Sequence, residues 1–190
     1  MKYAHILAAA WILCTPFAVS AAGNIPSLPT GFDSSFVQTR TLPGFSTPLV
    51  SRGKLHIDNA HGFRWEITSP YHYVFEMDGE DAQEQLPDGT TRHLNPEQTP
   101  WLAAVERIFV SALTGDRTDL QHYFEVHVTQ LPKGQRILLT PKPGPLANTI
   151  NSIQVIEAAP GHPQRLVIKE NSGGSMDIRF GPESRTASGP

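Results

Sequence analysis

Eight histidines, one cysteine and a scatter of carboxylates are the residues of this chain that could hold a metal or move protons. Their spacing argues against either use. His122 and His127 lie five apart, which on a strand would put them on opposite faces. His56 and Asp58 share a strand face, but Arg52 and Lys54 share it too, so the face reads as solvated. His72 sits between Tyr71 and Tyr73, just after Pro70, and reads as a turn or surface residue. The chain has no paired histidines one helical turn apart, no cysteine cluster and no Asp-rich loop, so neither a metal nor a cofactor is expected. Nucleophilic chemistry fares no better. There is no Gly-x-Ser-x-Gly elbow, and Ser172-Gly173-Gly174-Ser175 reads as a hairpin turn. Glu80, Asp81 and Glu84 fall in a polar, Gly-containing stretch that reads as a solvated loop. No Gly-rich turn leads from a strand into a helix to cradle a phosphate. The expectation is a protein that is not an enzyme.

The ends of the chain point to export. Met1 to His5 carry one positive charge, Ile6 to Leu13 are apolar throughout, and small residues close the segment around Ser20, Ala21 and Ala22. That is the pattern of a signal peptide, residues 1–21, cleaved near Ala21 or Ala22. The apolar run is shorter than the ~20 residues a membrane helix needs. Cys14 follows bulky Leu13, which argues against lipid attachment there. Cleavage would remove this cysteine, leaving no disulfide and no thiolate ligand. Roughly 165–170 residues would remain, enough for one domain with a sizeable core. That domain is expected over 22–182. The stretch after Phe180 has no apolar anchor, and 183–190 reads as a disordered tail. With 15 basic and 18 acidic residues there is no basic footprint for nucleic acid. No second hydrophobic segment follows the first, so the mature chain is expected to be soluble.

Between the ends the dominant signal has period two. Leu49 to Asp58 place Leu49, Ser51, Gly53, Leu55 and Ile57 on one face and Arg52, Lys54, His56 and Asp58 on the other. Phe63, Trp65 and Ile67 alternate with Arg64, Glu66 and Thr68, and Tyr73, Phe75 and Met77 with Val74, Glu76 and Asp78. Phe124 to Thr129 and Ser175 to Phe180 repeat the pattern. Such alternation marks strands with one face in a core and the other in water. Turn-like spacers such as Pro87-Asp88-Gly89 and Pro132-Lys133-Gly134 predict an antiparallel meander. Asn24 to Thr30, with two prolines, read as an extended lead-in. One stretch breaks the rule. Thr99 and Pro100 suit a helix start, and Trp101 to Leu113 are so apolar that the predicted helix must be largely covered. A second short helix is expected from Asp116. The fold class is mainly β (α+β): one curved antiparallel sheet with a hydrophobic helix against its apolar face.

The large inward candidates are Phe36, Phe63, Trp65, Phe75, Met77, Leu139 and Phe180, and the helix adds Trp101, Leu102, Val105 and Phe109. Taken singly, each is ordinary core. Taken together, a single sheet and one helix do not easily fill their own interior, and the unfilled apolar space would suit a lipid.

Several segments form an ordered series: Phe36-Val37-Gln38-Thr39-Arg40, Gly44-Phe45, Pro48-Leu49, Ser51-Arg52-Gly53-Lys54-Leu55, and Gly62-Phe63-Arg64-Trp65-Glu66 with Pro70 beyond. The series resembles the periplasmic outer-membrane lipoprotein carriers, the LolA-like family. The resemblance implies an open half-barrel sheet whose apolar concave face is covered by helices. It also implies a periplasmic location and a cavity that shields acyl chains of a lipoprotein or lipid. The ligand-binding residues would be Phe36, Phe63, Trp65, Phe75, Met77, Trp101, Val105, Phe109 and Leu139. The partners it implies are an inner-membrane donor and an outer-membrane acceptor, with the carrier itself a monomer. It further gives Arg64 the role of latching a helical lid, whereas alternation puts Arg64 opposite Phe63 and Trp65, as a solvated charge or an ion pair. Pro26 and Pro29 occupy the place of the family's longer first helix, and 79–94 lack its aromatic stretch. The Gly44-Phe45 and Pro48-Leu49 pattern looks more like a divergent branch of the family, for which a lipid-linked or polyene cargo is the alternative. A non-catalytic envelope scaffold or regulator is the reading without a cavity.

Overall fold

The computed structural model describes residues 31–58, 62–78, 81–94 and 120–186. They form one antiparallel sheet of eleven strands. The strands are β1 (Gly31–Thr41), β2 (Leu49–Asp58), β3 (Gly62–Ser69), β4 (Tyr73–Asp78), β5 (Asp81–Gln85), β6 (Thr91–Leu94), β7 (Phe124–Gln130), β8 (Gln135–Pro141), β9 (Ile150–Glu157), β10 (Pro163–Glu170) and β11 (Ser175–Thr186). One turn of helix, α1 (Leu120–Tyr123), leads into β7, and a 3-10 turn spans Pro145–Asn148.

The sheet is an open half-barrel with the order β6-β5-β4-β3-β2-β1-β11-β10-β9-β8-β7. Two meanders thus spread outward from a central seam where the first and last described strands pair, Phe36 opposite Phe180 and Gly31 opposite Thr186. The edges of the sheet are β6 and β7, and residues 95–119 join them along the chain. Tight turns set the register. In the β7–β8 hairpin, Leu131 N–H donates to Gly134 O at 3.0 Å. Gly134 holds φ at +80°, and a Cβ there would run into the backbone of Glu157 and Ala158. Only glycine meets both demands at that turn.

The period-two pattern translates directly into two faces. Phe32, Phe36, Leu55, Ile57, Phe63, Ile67, Phe75, Met77 and Ala82 are buried from one meander, and Ile137, Leu139, Ile153, Val155, Leu166 and Ile178 from the other. They belong to one apolar cluster, joined by Leu120 of α1.

Three expectations need correction. The stretch 81–85, read as solvated loop, is strand β5, because β4 supplies a partner for its backbone. β11 continues to Thr186, into the supposed tail, because pairing with β1 needs backbone groups and not apolar side chains. His122 and His127 do not share a strand, since His122 lies in α1 and His127 in β7. The short helix expected from Asp116 is described at Leu120–Tyr123. The signal segment, the lead-in to Thr30 and the helix over 99–113 lie outside the described residues.

Candidate functional site

The apolar face has an aromatic centre built by register. Leu55 of β2 lies opposite Trp65 of β3, which lies opposite Phe75 of β4, while Ile57, Phe63 and Met77 form the next row. Phe36 of β1 lies opposite Gly53, a position with no side chain of its own. Its ring therefore leans across β2 and stacks on the Trp65 indole, with centroids 3.9 Å apart and planes inclined by 27°. Phe63 stacks offset on the same indole at 6.3 Å and meets Phe75 edge-on at 5.8 Å. Four aromatic rings thus make one continuous packed cluster. Of the residues singled out in the sequence, Phe36, Phe63, Phe75, Met77 and Leu139 are buried on this face, and Trp65 and Phe180 are half-buried against it. Leu139 stands on the other meander, opposite Val126 and Ile153. Trp101, Val105 and Phe109 lie outside the described residues.

Polar groups border this face in three places. Near the β5–β6 edge, buried Glu84 accepts a hydrogen bond from the Tyr73 hydroxyl at 3.0 Å and pairs with Arg92. Burial above all, then the hydrogen bond to Glu84 and its charge, hold the Tyr73 hydroxyl well above its ordinary pKa. On the other meander Gln135 donates to Glu157 at 2.6 Å, with Glu157 fully buried. At the seam, Arg40 reaches Glu170 at 3.2 Å. Ala82 and Glu84 share the inward face of β5, and Arg92 stands opposite Glu84 on β6.

Arg64 lies on the opposite, outer face, as alternation requires. It pairs with Glu76 on β4 and lies 3.6 Å from Glu66. The pair belongs to a polar ladder in which Asp33, His56, Arg64, Glu76 and Gln83 occupy successive register positions across five strands. His56 Nδ1 is 2.7 Å from Asp33, and Gln83 donates to Glu76 at 2.8 Å. His72 lies 3.1 Å from Glu66, and that hydrogen bond is the main reason the Glu66 carboxyl is held below the usual range. Among the described residues, no group of three His, Cys, Asp or Glu side chains is placed to hold a metal ion. No described helix is long and apolar enough to cross a membrane.

An open antiparallel half-barrel with one apolar and one charged face is the architecture these residues define. The family described as outer membrane lipoprotein carrier protein LolA matches residues 29–188, and the chain belongs to that family. No curated protein matches the chain. Among solved structures, a LolA superfamily protein from Nitrosomonas europaea is 10% identical, with 85% of this chain and 88% of that chain covered and a TM-score of 0.44. The MucA/MucB complex of Pseudomonas aeruginosa gives 12% identity, 84% and 53% coverage and a TM-score of 0.47, so this chain spans about half of that one. A DUF1329 family protein from Desulfovibrio piger gives 9%, 86% and 89%, and 0.44.

Proposed function

We propose that this protein is a periplasmic carrier that shelters acyl chains of a lipoprotein or lipid on its apolar face, without covalent chemistry. The observation that carries the reading is the continuous aromatic cluster of Phe36, Trp65, Phe63 and Phe75 at the centre of that face. Membership of the LolA family supports it. Removing apolar ligand surface from water contributes about 25 cal/mol per Å², so ~300 Å² of chain would contribute about 7 kcal/mol before ordering costs. The expected helix over 99–113, in the stretch joining the two sheet edges, would add Trp101, Val105 and Phe109 to the same ligand. Loading would come from an inner-membrane donor and release would go to an outer-membrane acceptor.

Native mass spectrometry of the mature protein from its own cells, followed by organic extraction, tests the reading. A co-purifying lipoprotein, lipid or polyene, lost in Trp65→Glu while the circular dichroism spectrum is kept, is the expected result, and the extract names the cargo class. A ligand-free mass throughout, together with no uptake of fluorescent fatty acid, would overturn it.

A further inference from the structure

The β1–β2, β3–β4, β5–β6 and β10–β11 turns all lie at one end of the half-barrel, and the first two present apolar side chains to water. Leu42-Pro43-Gly44-Phe45 is a tight turn closed by the Phe45 N–H to Leu42 O bond at 3.2 Å, with Gly44 at φ +81°. Pro-Gly suits such a turn, so the backbone itself holds Phe45 outward. Phe45 is 67% exposed, Leu49 57%, Val50 48% and Tyr71 49%. Arg52 opposite Ser69 is the last pair of the β2–β3 ladder at this end, and Val50 and Tyr71 each lie two residues beyond it. Phe45 and Tyr71 stand on two loops at this end, with Leu49 and Val50 opening β2 on its apolar and outer faces, and four large apolar groups exposed at one end are more than scattered surface hydrophobes.

Two features say what covers them. Leu49 lies on the strand face of Leu55 and Ile57, so the patch runs on into the apolar face without a polar break on β2 other than Ser51. Cations also flank it on both sides of the sheet. Arg40 is on the apolar side with its Nε buried and unpaired, and exposed Arg52 is on the outer side. Glu170 answers Arg40, and Asp88 sits on the β5–β6 turn. Asp58, Asp78 and Asp81 gather at the opposite end of the same meander.

We infer that the β1–β2 and β3–β4 loops dock this end of the protein on a lipid bilayer, with Phe45 and Tyr71 seated among the headgroups and Arg52 against anionic lipid. Aromatic side chains favour that interface, and basic neighbours add attraction to anionic lipid. The inference rests on the carrier reading, for which it supplies the contact through which a chain would pass by Leu49. It is tested separately from ligand binding.

The test is flotation of the mature protein with protein-free vesicles of phosphatidylethanolamine and phosphatidylglycerol, beside uptake of a fluorescent fatty acid in solution. Phe45→Asp should lower the vesicle-bound fraction about tenfold or more, the loss expected when a buried phenyl is replaced by a charge, with uptake unchanged. Arg52→Gln should lower it about fivefold, on vesicles containing phosphatidylglycerol only. Tyr71→Ser, a milder change, guards against misfolding and should also weaken docking. Equal flotation of wild type and Phe45→Asp would overturn the inference. So would binding confined to native membranes that retain their proteins, which would make the occupant a protein. Intact docking without any fatty-acid uptake would instead count against the carrier reading alone.

Discussion

Gly53 offers a sharp test of how the aromatic centre is built. A Cβ at this position would lie 2.5 Å from Cζ and 2.8 Å from Cε1 of Phe36, and closer still to the backbone carbonyl oxygen of Glu66. The ring would have to retreat by about 1 Å to reach ordinary contact, and in doing so it would leave the Trp65 stack. Overpacking costs about 1–3 kcal/mol, loss of the aromatic pair about 1 kcal/mol, and disturbance of one β2–β3 ladder bond about 1 kcal/mol. Stiffening of the unfolded chain by alanine returns up to about 1 kcal/mol. Gly53→Ala should therefore cost about 3 kcal/mol net, or a fall in Tm of about 6–12 °C for a domain of this size. Gly89→Ala is the matching control. Gly89 has φ +84° but nothing within 4 Å of its Cβ, so only backbone strain of about 1 kcal/mol applies. Thermal and urea unfolding of both variants, followed by circular dichroism, check the difference. If Gly53→Ala is no more destabilising than Gly89→Ala, the argument that an absent side chain lets Phe36 lie on Trp65 fails.

Arg64→Ala should shift stability by less than about 1 kcal/mol, since its pairs with Glu76 and Glu66 are partly solvated, and should leave fatty-acid uptake intact. Lost uptake at unchanged stability would instead favour the latch role that the family resemblance implies. Tyr73 makes stability fall in alkali. Its folded pKa is raised above the ordinary 10.0, so the unfolded chain gives up this proton first. The contribution is complete below about pH 10 and is lost as pH climbs from there toward the folded value. Tyr73→Phe should cost about 1 kcal/mol at pH 7 and show a shallower decline above pH 10, read from urea midpoints. Parallel declines would refute the Tyr73 assignment.

The strands with one wet face were legible because each side chain reports its own surroundings. Alternation over Leu49–Asp58 and Phe63–Thr68 placed the aromatic centre and put Arg64 on the outer face, against the role implied by resemblance. Glu84 was not legible. A carboxylate becomes tolerable in an apolar face only when Tyr73 and Arg92 arrive from neighbouring strands, and local polarity cannot register partners brought by pairing. The end of β11 was hidden for a related reason. Pro182, Glu183 and Ser184 look like a tail, yet their strand exists because β1 extends back to Gly31 and offers its backbone. The turn that exposes Phe45 follows from Pro43-Gly44, but that its loop shares one end of the sheet with the loop of Tyr71 follows only from strand pairing.

The seam between β1 and β11 bears on how the chain can be made. Ser34 donates to Gly181 O across 147 positions of sequence, so the middle of the sheet cannot close until β11 has been synthesised. Until then β1 is a bare edge of the kind that pairs with strangers. Contacts this distant along the chain also slow assembly. Truncation before Ser175 would accordingly not trim a border strand. It would part the two meanders, leaving a pair of hairpin stacks with no centre to join them.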